Sequence, residues 1–492
     1  MLEEKTNIIQ RAGLFLGIIS AVCIIAFVNF GAEYYNAKLV AATASLMSIW
    51  WITEAVPLAV TSLIPLVLFP LTGAVSGKAT SEAYMNSTIF LFMGGFIIAI
   101  AMEKWNLHKR IALNVINIFG KNPSQIVLGF MLATGFISMW ISNTATALMI
   151  LPIGLAVLIK LENEFGKERT KKFGSALMLS IAYAASIGGM GTLVGTPTNL
   201  VFVRVFKIAF PDKPMILFAD WMKFAVPITV IMLILTWIVL SKIVFRSEKD
   251  LVISRDIIKS EKEKLGKTSF EEKTVLLVFL ATSLLWIFRS ELDLGFVKIP
   301  GWSLIFPKAD FIDDGTVAIT MAVLLFLIPA KNKSNDTYFI LDFSTIPKIP
   351  WDIILLFGGG FALAEGFVSS GLSKFIGQQF ASFGGMPLIL IIALVCFSVT
   401  ALSELTSNTA TAQIVLPILA SLAVELKIEP MLLMIPATLA ASFGFMLPVG
   451  TPPNAIVFSS QRLKVRDMVK TGIIIDLLSV IIITLFAYLF LI

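Results

Sequence analysis

Ser142-Asn143-Thr144 and Ser407-Asn408-Thr409 are identical polar triplets set inside apolar sequence. Ser, Asn and Thr are favoured helix N-caps, because a side-chain oxygen takes up an unpaired N–H of the first turn. Both triplets stand immediately before apolar runs of helical character, ATALMILPI and ATAQIVLPI. Gly195-Thr196-Pro197-Thr198-Asn199 and Gly450-Thr451-Pro452-Pro453-Asn454 say the same in another way. Glycine permits a break, threonine caps, and proline sits in a first turn where its missing N–H costs little. Four helix starts with free N–H groups and hydroxyl or amide donors form an anion site without a formal charge. Neutral donors bind and release, whereas a buried arginine would be costly when left unpaired. Two equivalent donor sets fit an anion with two carboxylates. The carbonyl ends exposed by the same breaks, with Asn and Ser oxygens and nearby Ser138 and Ser403, offer ligands to a hard cation such as sodium.

These residues recur in a fixed order. Phe90-Leu-Phe-Met-Gly-Gly-Phe96 returns as Leu355-Leu-Phe-Gly-Gly-Gly-Phe361 at an offset of 265, and the Ser-Asn-Thr triplets keep the same offset. The Gly-Thr-Pro segments recur at an offset of 255, so only intervening loops differ in length. The glycine-rich segments are apolar and predict close helix packing rather than a phosphate cradle. Five full crossings are expected between the triplets; an odd number turns the second copy upside down, as in inverted-repeat transporters.

The elements that must position these residues are membrane helices. Of 492 residues, 57% are hydrophobic and 14% charged, far from the balance of a soluble chain. Crossings are expected near 13–31, 38–53, 56–72, 88–102, 174–203, 224–241, 275–288, 315–330, 352–369, 431–460 and 472–491. Two re-entrant hairpins, near 126–159 and 387–424, have arms of about 15 residues, too short for a ~30 Å core. Irregular backbone at that depth requires burial or an aqueous cavity. The fold class is thus all-α and polytopic, with about 11 transmembrane helices. The divisions are an N-terminal helix in 1–36, a first repeat in 37–245, a cytoplasmic linker in 246–274 and a second repeat in 275–492.

With the N-terminus inside, 27 of the 38 Lys and Arg fall in cytoplasmic segments, which accounts for the net charge of +6 without nucleic acid. Trp50, Trp51, Trp105, Trp221, Trp286 and Trp302 fall near span ends, where interfacial anchors sit. Cys23 and Cys396 lie in apolar segments and are read as packing residues. Glu54, Glu103, Glu365 and Glu404 stand in or beside spans, where an acid is a functional candidate. His108, the sole histidine, is assigned to a cytoplasmic loop, which leaves no imidazole pair for a metal. Neither a Rossmann fingerprint nor a P-loop is found, and no enzyme or organic cofactor is expected.

On these paired motifs the chain resembles the divalent anion/sodium symporter family, the INDY-like dicarboxylate transporters, along nearly its full length. The resemblance implies an 11-helix protomer with two hairpins in a homodimer, working as an elevator in which a transport domain slides against a scaffold. It implies substrates of the succinate, malate, fumarate, 2-oxoglutarate and citrate class, moved by sodium symport or by exchange in a bacterial inner membrane. Carboxylate contacts map onto Asn143, Thr144, Asn408 and Thr409, with Thr196, Pro197, Thr451 and Pro452 close by. Sodium sites map near Ser138, Ser142, Asn143 and Gly195, and near Ser403, Asn408 and Gly450. An inorganic divalent anion such as sulfate is the alternative cargo.

Overall fold

A computed structural model describes residues 8–119, 122–246, 256–293, 297–331, 339–379 and 385–491. Helix dominates, and one sheet is present among these residues, the two-stranded pair Leu292–Asp293 and Lys298–Ile299. Seven helical stretches are long and apolar enough to cross a membrane: Ile8–Phe27, Gly77–Lys104, Asn143–Phe165, Phe218–Val244, Trp351–Ser369, Asn408–Glu425 and Val465–Phe490. Shorter apolar helices lie between them.

One succession of elements runs twice. Ser87–Lys104, Leu107–Ile118, Pro123–Ser138, Asn143–Phe165, Lys167–Gly189, Pro197–Ala209 and Phe218–Ile238 form the first series. Trp351–Ser369, Leu372–Gln379, Leu388–Ser403, Asn408–Glu425, Met431–Ala440, Pro452–Phe458 and Val465–Phe490 form the second. The glycine-rich segments serve packing, as expected. A Cβ on Gly94 would lie 2.6 Å from the Ala318 backbone, and one on Gly359 would lie 2.5 Å from the Ser62 carbonyl oxygen. At the centre, Lys167–Gly189 is buried without interruption from Phe173 onward and packs on both arms of the first hairpin and on Pro452–Phe458 of the second series.

Several expectations are corrected. The crossing expected over 56–72 is two helices, Leu58–Thr61 and Ile64–Thr72; Pro65 has no N–H to give the Thr61 carbonyl, so the first helix ends there. The crossings over 174–203 and 431–460 do carry the breaks that their Gly-Thr-Pro motifs predict. In the first hairpin the second arm continues to Phe165, 23 residues or about 34 Å. Its apolar part is as short as expected, and the extra length is the polar end containing Lys160, Glu162 and Glu164.

Trp51, Trp221 and Trp286 are not interfacial anchors. Each is buried, and each indole N–H finds a partner inside: Leu58 O and Ser62 Oγ for Trp51, Met190 O for Trp221, Asp314 O for Trp286. Burial of the ring with its donor satisfied outweighs a place at the headgroups. His108 is buried at the start of Leu107–Ile118, with Nδ1 2.7 Å from Met102 O, rather than free in a loop. Cys396 packs as expected, but Cys23 lies exposed on the first helix. Within the linker, Asp256–Lys264 is helical, and 247–255 lies outside the described residues.

Candidate functional site

The two hairpins repeat the same serine contacts at their tips. Pro123–Ser138 ends, four residues break the helix, and Asn143 restarts it; Leu388–Ser403 and Asn408 do the same. Ser138 Oγ lies 2.8 Å from Asn143 Oδ1 and 2.7 Å from Ala185 O. Ser403 Oγ lies 2.8 Å from Asn408 Oδ1 and 2.6 Å from Ala441 O. A serine hydroxyl has one hydrogen, so each serine holds an asparagine carbonyl and a helix-end carbonyl around one donor, and oxygen atoms converge.

The Gly-Thr-Pro breaks are held by asparagines whose role the sequence did not disclose. Asn199 Nδ2 donates to Gly189 O, Met190 O and Thr192 O, the last at 2.6 Å. Asn454 Nδ2 donates to Gly444 O at 2.8 Å and Leu447 O at 3.0 Å. Both are fully buried, and each ties the unwound carbonyls ahead of Pro197 or Pro452 to the next helix. Asn stands two positions after the proline of Gly-Thr-Pro in both copies, the one signal that pointed to it.

The capping expected of the four polar starts is half realised. Ser142 Oγ accepts from Ala145 N, and Thr451 Oγ1 accepts from Asn454 N, both at 3.3 Å. Ser407 and Thr196 make no side-chain cap bond, so their helix-start N–H groups have no help from that side chain.

All of these starts face one space. A cavity of about 740 Å³ is lined by Ser142, Asn143 and Thr144, by Ser407, Asn408 and Thr409, by Thr196 and Pro197, and by Gly450, Thr451 and Pro452. Its lining runs outward to Ile9 and Gln10 on the first helix, and to Glu54 and Asp352. Among the described residues no Lys, Arg or His lines it, so any anion there is held by neutral donors and helix ends. Ser138, Gly195 and Ser403 stand behind the lining. A Cβ on Gly195 would lie 2.4 Å from Gly189 O and 2.9 Å from both Ser138 O and Met139 O. One on Gly189 would lie 2.3 Å from Asn143 Oδ1. That space is walled by oxygens and suits a small hard cation. On the other side, the position of a Cβ on Gly450 is 2.9 Å from Gly444 O and 3.3 Å from Leu447 O and Glu404 Oε2.

Of the four acids singled out in the sequence, Glu404 is buried beside this second break, where Oε1 accepts from Met446 N at 2.8 Å. Its carboxyl lies against that of Asp476, a buried acid that sequence reasoning missed although it is the lone charge in Gly472–Ile492. Glu54 lies at the cavity wall in left-handed backbone, φ 47°. Glu365 lies within electrostatic reach of Arg204, and Glu103 lies outside the lining. Beyond the spans, a hydrogen bond from Lys104, with a second from Ser344, holds the Asp342 carboxyl down at about 2.

Comparison with known proteins comes out on the same side. The family described as the sodium:sulfate symporter transmembrane region matches residues 11–492. The chain is 44% identical to the sodium-dependent dicarboxylate transporter SdcS of Staphylococcus saprophyticus, across 99% of this chain and 92% of that protein. It is 43% identical to SdcS of Staphylococcus aureus, across 97% and 91%. Among solved structures, it is similar in fold to the Alcanivorax borkumensis YdaH transporter, with a TM-score of 0.59 and 13% identity over 91% of this chain and 98% of that one. Neisseria gonorrhoeae MtrF gives 0.57 and 13% over 96% and 97%.

Proposed function

This chain belongs to the divalent anion/sodium symporter family, and from that premise we propose that it is a sodium-coupled secondary transporter of small dicarboxylates and not an enzyme. One observation carries the proposal: the two Ser-Asn-Thr triplets and the two Thr-Pro helix starts line a single cavity with no basic side chain among the described residues. A dianion there is bound by opposed neutral donor sets, one per carboxylate, through Ser142, Asn143 and Thr144 and through Ser407, Asn408 and Thr409, with Thr196, Pro197, Thr451 and Pro452 between them.

A dianion in a cavity without cationic side chains needs its charge offset before it can cross a low-dielectric barrier. Sodium supplies that offset. Its ligands in the first half are the oxygens around Gly195, from Ser138, Ser142 and Asn143; in the second they are those around Gly450, from Ser403 and Asn408. The names of the relatives support both sodium and dicarboxylate. No organic cofactor enters the cycle.

With the N-terminus in the cytoplasm of a bacterial inner membrane, as the basic residues of the loops suggest, the cavity edge at Ile9 and Gln10 makes this an inward-open form. Transport then requires the hairpins and Gly-Thr-Pro helices to slide as a unit past the N-terminal helix, the remainder of the two repeats (37–245 and 275–492) and the 246–274 linker. A homodimer would hold that frame still.

Uptake of labelled succinate into proteoliposomes, driven by inward sodium and compared with choline, tests the proposal. Saturable, sodium-dependent uptake is expected, and no saturable uptake of any dicarboxylate refutes it. The family description names sulfate, so sulfate belongs among the competitors: competition by sulfate but not by succinate would transfer the assignment to an inorganic dianion.

A further inference from the structure

The two donor sets are alike, but the residues beside them are not. Leu405 stands two residues before Ser407, and Val449 immediately precedes Gly450. Both line the cavity, and both are open to it, with relative exposures of 71% and 83%. Their counterparts in the first half, at the repeat offsets, are Trp140 and Val194. Trp140 is packed edge-on to Phe279, ring centroids 5.0 Å apart, and Val194 is buried. The first half therefore turns these positions into its core, while the second presents two bare aliphatic side chains within two residues of polar groups that face an anion.

An exposed leucine and valine in an open cavity gain free energy only when something apolar covers them, at about 0.8 kcal/mol per buried methylene, or roughly fourfold in affinity. Sulfate has no carbon to offer. A dicarboxylate held by the second donor set brings its carbon chain past the residues beside that set, and Leu405 and Val449 are exposed there on the lining of the same cavity. Resting on the dicarboxylate assignment above, we propose that Leu405 and Val449 are specificity-determining residues that cover the carbon chain of the substrate, and that they favour unsubstituted chains, such as those of succinate and fumarate, over hydroxylated ones and over inorganic dianions. A hydroxyl on the chain would be pressed against this surface without a partner and lose its hydrogen bonds to water. The neutral donors fix where the carboxylates sit; the aliphatic pair reads what lies between them.

Leu405→Asn and Val449→Thr test this, because both keep the number and branching of side-chain heavy atoms and both sites are exposed, so the fold is retained. Sodium-driven uptake of labelled succinate is measured in proteoliposomes against unlabelled succinate, malate and sulfate. Each variant is expected to weaken succinate about fourfold, to weaken malate less or not at all, and to leave sulfate competition unchanged, so that the succinate-to-malate preference narrows. Parallel loss for succinate and malate, or no change in either, overturns the proposal. So does a fall in maximal rate at unchanged affinities, which would assign the pair to contacts made during movement with other apolar residues of the lining, such as Ile353 and Leu356. Absence of dicarboxylate uptake by the unaltered protein is a different result and refutes the dicarboxylate assignment itself.

Discussion

Gly195→Ala tests the cation shell most directly, because only space is at stake. Gly195 has no left-handed backbone, so alanine introduces a methyl and no torsional strain. That methyl would lie 2.4 Å from Gly189 O and 2.9 Å from Ser138 O and Met139 O, against the 3.4 Å or more of an ordinary contact. The nearest obstacle is backbone, so the break must open by about 1 Å. Overpacking of this kind costs about 1–3 kcal/mol, and where the displaced atoms are ligands the cost falls on binding, roughly 5- to 150-fold. At Gly450 the nearest oxygen is 2.9 Å away and the next two 3.3 Å, so Gly450→Ala should be milder, within about tenfold. Gly385→Ala, where nothing lies within 4 Å of the added carbon, is the silent control. The assay is the sodium concentration giving half-maximal succinate uptake, with melting temperature measured in parallel. Equal sodium dependence in Gly195→Ala and the control, or a larger shift in Gly450→Ala, would refute the assignment of cation ligands.

Further expectations follow from single contacts. Asn143→Ala and Asn408→Ala each remove a donor to a charged carboxylate, worth about 1.5–3 kcal/mol, and should weaken succinate at least tenfold in direct binding measurements while leaving folding intact. Asn199→Asp replaces the amide donor to three carbonyls with an acceptor; a loss of about 3 kcal/mol or more in stability is expected, read as a fall in melting temperature and lost binding. Burial lowers the His108 pKa from 6.5, against weaker upward effects of Met102 and Glu103. The ring stays neutral in the fold while the unfolded chain takes up a proton, so stability is lost as pH falls below about 6.5. His108→Asn should flatten that part of the melting profile between pH 7.5 and 5.

The helices, their apolar character and the doubled order of motifs were legible because each is written locally: apolar runs, N-cap residues and prolines act within one turn. The helix starts at the Ser-Asn-Thr triplets were legible for the same reason, and it was their duplication beside linked helix breaks that marked them as a candidate site rather than interhelical glue. What the sequence concealed depends on which side of a helix meets which neighbour. Trp221 ends a span and looks interfacial until Met190 O is found beneath it. Asn199 reads only as the last residue of a helix-break motif until three carbonyls surround it. Asp476 pairs with Glu404 across 72 positions of sequence, and no spacing rule reaches that far. A cavity at the polar tips was expected, but its full outline belongs to this class, because its wall also takes in the first helix.

The halves are not merely adjacent; their breaks are bonded to each other. Tyr183, fully buried in the central helix of the first half, donates its hydroxyl to Phe445 O in the second break at 2.9 Å, with its ring 4.6 Å from that of Phe445. Thr198 and Ser442 hydroxyls meet at 3.1 Å beside it. Such links fix the spacing between the two donor sets, which a dicarboxylate of set length requires whichever way the cavity opens. Tyr183→Phe keeps the ring contact and removes only the O–H, leaving Phe445 O without that partner at a cost of about 1–3 kcal/mol. If the linked breaks move as one body, succinate affinity and melting temperature should fall together, and the loss should be smaller for an anion small enough to use one donor set. A lower melting temperature with unchanged succinate affinity would show that the spacing is held elsewhere, and the two breaks would then be free to move separately.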